Sequence, residues 1–434
     1  MQNSKLFTKS NELLKRALQV TPLGAQTFSK SYRYFPGDQS PLFLERGEGC
    51  RVWDVDGNCF VDYICALGPV TIGYHDERVD RAVIEQLSKG VSFSQPSPLT
   101  IELAEKLTQI IPCAEMVRFV KNGSDATAAA VRLARAYTER DIVLCCGYHG
   151  MQDWYISTTM NNAGIPTVMS ELTRTFVYND LEDLKQRLME SSGRVAAIIL
   201  EPLQGNGPRE GYLESVKNLA HENGVLLIFD EVVSGFRYAL GGASELYSVT
   251  PDLASYGKGM ANGLPLSAVA GRRDILELIG EKAVFISTTF GGEMLSIAAT
   301  LATIGILEKP GVYDTFRILG NRMREGLDSL IKQNDLGKVV STSGVSPHNG
   351  LKFSNYGALD YLDFTSIFQQ NMIEEGILTY SMINLNTSHT EQEIVQYLTA
   401  SAKAFDAIRR AVNADSTDGI LHGRKIEPIF RRNL

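Results

Sequence analysis

The sequence predicts an α/β protein: a larger domain on a mostly parallel sheet, then a smaller α+β C-terminal domain. Three observations carry this. The apolar runs Val195–Pro202, Gly224–Glu231 and Leu266–Gly271 read as buried parallel strands. Helix-patterned segments lie between or beside them: Ser124–Thr138, rich in alanine, and Leu213–Asn223, which stops before Gly224 as a capped helix does. Such alternation, sustained over about 200 residues, builds a parallel sheet with helices on its faces. After Pro310-Gly311 the pattern changes to long helices, Val312–Gln333 and Thr390–Val412, around shorter β-like pieces, so the second domain starts at about 308.

The opening residues form an amphipathic helix with Leu6, Leu13, Leu14, Ala17 and Leu18 as its apolar stripe. In RVWDVDGNCFVDYI two alternating runs flank Asp56-Gly57-Asn58, a hairpin signal. Val117–Val120 and Ile142–Cys146 are strand-like. The 434 residues are 44% hydrophobic and 21% charged, enough for a large core and unlike a disordered chain. A net charge of −8, with no run of Lys or Arg, argues against a nucleic-acid binder. Apolar runs such as Ala196–Leu200 and Val225–Phe229 fall far short of the about 20 residues a membrane helix needs, and no secretory signal is expected at the N-terminus. The six cysteines form no Cys-x-x-Cys pair and no metal spacing, so buried reduced thiols and a cytoplasmic location are expected.

In an open parallel sheet ligands bind beyond the carboxyl ends of the strands. Glu201 and Asp230 both stand there, and a carboxylate in such a crevice needs a cationic partner to stay ionised. Lys258 lies in SYGKGMANGLPLSAVAG among Gly257, Gly259 and Gly263, where backbone can approach a ligand closely. Its amine could form a Schiff base with a carbonyl once burial lowers its pKa. In VRFVKNGSDATAAAVRLARA a strand, the turn Asn122-Gly123-Ser124 and a helix make an anion cradle to which Ser124 can add its hydroxyl; the competing reading is an ordinary N-cap, with Ser124 or Asp125 capping the helix. Tyr148 in GYHG (147–150) could present a ring face to a planar ligand, and His149 reads as a structurally hydrogen-bonded histidine. No Gly-x-Gly-x-x-Gly opens any of these helices, which disfavours a nicotinamide enzyme, and no Walker motif appears.

An anion cradle, a carboxylate, a ring platform and a Schiff-base lysine together describe a pyridoxal phosphate (PLP) site. From about residue 10 to 410 the chain resembles the class III aminotransferases of PLP fold type I, within them the glutamate-1-semialdehyde 2,1-aminomutase group. The motifs are GVLLIFDEVVSGFR with Lys258 28 positions after Asp230, then VRLARAYTERD, GYHG, EPLQGN and TTFGG. The resemblance implies a seven-stranded, mostly parallel sheet in a large domain of residues 61–307. It also implies an N-terminal segment, 1–60, packed with a small domain of residues 308–434. Lys258 resembles the lysine that holds PLP, and Asp230 the aspartate paired with its ring nitrogen. Tyr148 and Val232 match the residues on the two faces of the ring, and Gly123 and Ser124 the phosphate loop. Gln204 and Asn206 both lie where the family places an amide by the ring hydroxyl; Asn206 is taken as that ligand. Thr289 resembles the threonine that reaches phosphate from the neighbouring subunit, which implies a homodimer with shared sites.

The implied function is transfer of an amino group from an amino-acid donor to an aldehyde or ketone acceptor, a sugar-derived one among the candidates, through the pyridoxamine phosphate form. Tyr148 joins Lys258 and Asp230 as the catalytic set, with no metal. The alternative is the aminomutase reaction, amino transfer within one molecule. Two departures weigh against it. Aminomutases of this group carry a Gly-Gly-Val-Asn-Ser-Pro-Val-Arg-like signature where this chain has LGAQTFSKSYRYFPG (23–37), and a gating glutamate where LTYSMINLNTS, before His389, has no carboxylate.

Overall fold

The computed structural model describes residues 6–191, 193–281 and 284–428. In chain order its strands are β1 (Leu44–Glu48), β2 (Arg51–Asp54), β3 (Cys59–Asp62), β4 (Met116–Val120), β5 (Ile142–Cys146), β6 (Thr173–Thr175) and β7 (Val195–Leu200). Then come β8 (Leu226–Asp230), β9 (Leu253–Tyr256), β10 (Ser267–Gly271), β11 (Val340–Val345), β12 (His348–Phe353), β13 (Ile377–Leu378) and β14 (Met382–Asn384). The described residues divide into two units. The larger is Gly68–Ile72 with Glu77–Tyr313; the smaller takes the residues up to Leu67, Gly73–Asp76 and the residues from Asp314 on.

The larger unit is built on a seven-stranded sheet of order β4-β10-β9-β8-β7-β5-β6. Every residue of β5, β7 and β8 is buried, as strands covered on both faces must be. The helix Gly123–Thr138 turns Ala126, Ala130, Leu133 and Ala134 onto Val143, Ala197, Ile228 and Val269. Its alanines allow close approach to the sheet, and cutting fully buried Leu133 to alanine costs about 2–5 kcal/mol.

One strand departs from expectation. The run Leu266–Gly271 is not parallel: β10 pairs antiparallel with both β4 and β9. Between Tyr256 and Ser267 the chain holds only the short 3₁₀ turn Lys258–Ala261, whereas a parallel return needs a crossover of about a dozen residues or more. The alignment of β10 leaves β4, β5, β7, β8 and β9 pointing the same way. Their carboxyl ends therefore deliver Asn122, Gly147, Glu201, Glu231 and Gly257 to one edge of the sheet.

The smaller unit contains a four-stranded sheet, β1-β2-β3-β13, and a three-stranded sheet, β11-β12-β14. The Asp56-Gly57-Asn58 turn closes the expected hairpin, with Val52 opposite Phe60. The helix Glu391–Ala414 starts in a capping box between Thr390 and Glu393 and packs on the helix Tyr361–Glu374. Just before it, His389 is buried: Nδ1 accepts the Asn386 N–H at 3.0 Å and the Tyr63 ring packs against it tilted by 32°, with ring centroids 4.5 Å apart. Burial pushes this imidazole down to about 4. All six cysteines are unbridged, Cys145 and Cys146 buried among them. Among the described residues no single helix is long and apolar enough to cross a membrane.

Candidate active site

Asp230, 3% exposed, is the last residue of β8. A bare carboxylate there would be unstable, so the chain surrounds it with donors. Asp230 Oδ1 accepts the Val232 N–H at 3.1 Å, and Oδ2 lies 2.8 Å from His149 Nδ1. A carboxylate accepts only, so the Nδ1–H donates in this pair. His149 is 1% exposed, and among the described residues its Nε2 has no hydrogen-bond partner. The neighbouring Glu231 points elsewhere. Its carboxylate accepts the Ala243 and Ser244 N–H groups and the Ser234 and Ser244 hydroxyls, capping the short helix Ala243–Leu246, while burial raises its pKa against these bonds. Of the adjacent acids, one serves the fold and the other faces the sheet edge.

The turn at 147–150 is tied down from three sides. Glu201 Oε2 accepts the Tyr148 N–H at 2.8 Å, Thr127 Oγ1 donates to the His149 carbonyl at 2.7 Å, and Tyr155 OH donates to the Gly147 carbonyl at 2.7 Å. Gly147 has φ +121°, and a Cβ there would sit 2.5 Å from Glu201 Oε2, so only glycine fits. The Tyr148 ring, 41% exposed, stands edge-on to Tyr155 at 5.6 Å.

The anion cradle differs in one detail from its sequence reading. The helix Gly123–Thr138 is capped by Asn122 in a capping box with Asp125, not by Ser124 or Asp125. Ser124 instead accepts the Met151 N–H at 3.1 Å, joining the cradle to the Tyr148 turn. A Cβ on Gly123 would meet Val232 Cγ1 at 2.8 Å, and one on Gly257 would lie 3.5 Å from the same methyl. Val232 therefore links the cradle to the lysine loop. Lys258 opens the 3₁₀ turn after β9 with φ +38°, a left-handed conformation that costs a lysine about 1–2 kcal/mol. Burial lowers its ammonium below the usual lysine range; Glu201 and then Asp230 act to raise it, and Arg237 lowers it further. Arg237 itself is buried, donating from Nε to the Val233 carbonyl at 3.1 Å and from Nη2 to that of Gly68.

The structure thus brings Gly123, Ser124, Tyr148, Asp230, Val232 and Lys258 to one edge of the sheet. Asn206 lies exposed in the turn after β7, and Thr289 exposed in the turn before the helix Met294–Leu307. Gln204 turns its amide NH₂ to the Cys146 and Glu201 carbonyls, at 3.1 and 3.3 Å. Two residues were given no chemical role from sequence. Arg237 acts on Lys258, and His149 holds Asp230 from 81 residues away, a pairing that no local signal announces.

These residues suit a planar phosphorylated aldehyde. A 16-residue helix starts at the glycine cradle, a buried carboxylate is held with two donors, and a lysine with lowered proton affinity stands beside it. The comparisons agree. Residues 34–350 match the family model for aminotransferase class III. The chain is 36% identical, over 90% of its length and 97% of the relative's, to the 3-aminobutyryl-CoA aminotransferase of Cloacimonas acidaminovorans. It is 34% identical, over 94% and 100%, to the glutamate-1-semialdehyde 2,1-aminomutase of Citrifermentans bemidjiense. Among solved structures, the PLP internal aldimine form of the FumI protein of Sphingopyxis sp. MTA144 matches with TM-score 0.86 and 27% identity, over 94% of this chain and 98% of that one. The fold and site define a class of enzyme that moves amino groups between small molecules. The chain belongs to the class III aminotransferases.

Proposed function

We propose that this chain is a two-substrate, PLP-dependent aminotransferase that takes an amino group from an amino-acid donor and passes it to an aldehyde or ketone. The observation that carries the reading is the gathering of Lys258, Asp230, Val232 and the Gly123 cradle at the carboxyl edge of the sheet. Bound PLP supplies an electron sink for the charge left on the donor carbon when its proton leaves. Asp230, fixed by His149 and the Val232 N–H, holds the proton on the ring nitrogen. Lys258 Nζ anchors the cofactor, then takes the donor's α-proton. Its lowered proton affinity leaves it the free amine at a lower pH than an ordinary lysine, as a base requires. Tyr148 and Val232 exclude water from the two faces of the ring. Gly123 and Ser124 bind phosphate, Asn206 bonds the ring hydroxyl, and Thr289 reaches the phosphate of the partner subunit in a homodimer. The six unbridged thiols fit a cytoplasmic location.

The aminomutase reaction is the second reading, favoured by the 34%-identical relative of that name. Against it stand residues 378–388, which contain no carboxylate. One experiment separates the two: mix the PLP-loaded protein with a panel of amino acids. A transaminase bleaches the Schiff-base absorption and releases a keto acid that leaves the protein. Conversion of glutamate-1-semialdehyde with no free keto product, and no bleaching by any ordinary amino acid, would establish the mutase instead.

A further inference from the structure

Lys121 lies between the end of β4 and the Gly123 cradle, yet its cation is engaged elsewhere. Its Nζ is 3.0 Å from Glu293 Oε1, with the two side chains 25% and 10% exposed. Glu293 in turn caps the helix Met294–Leu307. Its Oε2 accepts the Leu295 N–H at 2.8 Å, and its Oε1 accepts the Ser296 N–H at 3.0 Å and the Ser296 hydroxyl. These bonds hold the carboxylate in place, so the pair loses less side-chain entropy on forming than a loose surface pair does. Two further ties run from β4 to the residues ahead of Glu293. Arg118 donates from Nε and Nη2 to the Ile286 carbonyl, at 3.2 and 2.8 Å. The Gly291 N–H donates to the Thr288 carbonyl at 3.1 Å, and a Cβ on Gly291 would sit 2.9 Å from the Phe119 carbonyl oxygen. The turn that holds Thr289 is therefore built against β4, the edge strand of the sheet, and ion-paired to the root of the cradle.

We propose that Lys121 and Glu293 are positioning residues: their ion pair braces the Thr289 turn on the cradle strand, so that Thr289 is aimed at the phosphate bound by the partner subunit. The proposal rests on the reading that Thr289 reaches that phosphate across a homodimer. Lys121 acts there through Glu293 and the turn. Thr289 is exposed in its own chain, so its direction is set from behind, by the residues that hold the turn. A hydroxyl displaced by about 1 Å no longer makes a hydrogen bond to its acceptor. One ion pair thus links the cradle of one site to the threonine that completes the other.

The test reads phosphate binding rather than turnover. Calorimetry on the full chain freed of cofactor gives its affinities for pyridoxamine phosphate and for pyridoxamine, which lacks the phosphate. Lys121→Met should weaken pyridoxamine phosphate about three- to tenfold and leave pyridoxamine within about twofold, whereas a general loosening would weaken both. Glu293→Gln, which keeps an acceptor for the helix cap, should do the same, and Lys121→Arg should stay within about twofold of wild type. Thr289→Val should weaken pyridoxamine phosphate about tenfold or more. Adding Lys121→Met to it should cost less than about twofold further, as expected when one residue acts through the other. Wild-type affinities in Lys121→Met and Glu293→Gln, equal losses for the two ligands, or full additivity with Thr289→Val would each overturn the proposal. Should one variant fail to fold, the other decides alone. Wild-type affinity in Thr289→Val, or a chain that sediments as a monomer, would instead overturn the shared-site reading, so the two failures are distinguishable.

Discussion

Replacing Asp230 by asparagine removes one charge and almost no volume. The loss can be worked from the contacts of this side chain. Asp230 Oδ1 accepts the Val232 N–H at 3.1 Å and Oδ2 meets His149 Nδ1 at 2.8 Å, with the residue 3% exposed. Asparagine offers a single acceptor. If its carbonyl keeps Val232, its NH₂ faces the His149 Nδ1–H, donor against donor. If the carbonyl keeps His149, the NH₂ opposes the Val232 N–H. Either way a buried donor is stranded, at about 1–3 kcal/mol of stability. The larger effect is on chemistry. A cationic ring nitrogen left in a buried site without its anion costs about 3–5 kcal/mol, two to four decades in rate at about 1.4 kcal/mol each. The assay is a single half-reaction: saturating amino donor, and the rate at which the Schiff-base absorption disappears. PLP affinity, measured by dialysis, should fall far less, because the phosphate cradle is untouched. Half-reaction rates within threefold of wild type would refute the role of Asp230.

Gly147→Ala forces a Cβ to 2.5 Å from Glu201 Oε2 at φ +121°, and should cost about 1–3 kcal/mol in thermal unfolding and loosen the Tyr148 turn; unchanged stability would contradict the packing described. Mixing inactive Lys258→Ala with an inactivating change at Thr289 should restore partial activity, since a mixed dimer has one site free of both defects. Verified heterodimers with no recovery would refute the shared site. His389 is buried and neutral, with its imidazole pushed down to about 4 against about 6.5 in an unfolded chain. The unfolded state therefore binds the extra proton between those values. Stability from this residue is full above about 6.5 and falls as pH drops toward 4, by about 3 kcal/mol in all. Hydrogen exchange in the helix Glu391–Ala414 should show that slope, and His389→Gln should flatten it.

What could be read from the sequence was whatever leaves a local trace. β7 and β8 are uninterrupted apolar runs, so they and the carboxylates at their ends were visible. The Asp56-Gly57-Asn58 hairpin carried its own turn chemistry. Leu253–Tyr256 was missed because four residues with two small ones have no periodicity to read. Without β9 in view, the run after it looked like the next parallel strand, whereas the short Lys258 turn reverses the chain. Asn122, Ser124 and Asp125 all favour helix caps, so composition alone could not choose among them. The tie between Glu201 and Tyr148 spans 53 residues, and the left-handed backbone of Lys258 exists only once the sheet is assembled. A lysine among glycines is an ambiguous signal until its neighbours are known.

The central claim is that Lys258 carries the cofactor and the proton. Borohydride reduction of the PLP-loaded protein, then proteolysis and mass spectrometry, tests it most directly. The account predicts one phosphopyridoxyl group, on Lys258, and none in Lys258→Ala, which should still bind PLP through the cradle while losing turnover. A label on any other lysine, or a reducible adduct surviving in Lys258→Ala, would contradict it.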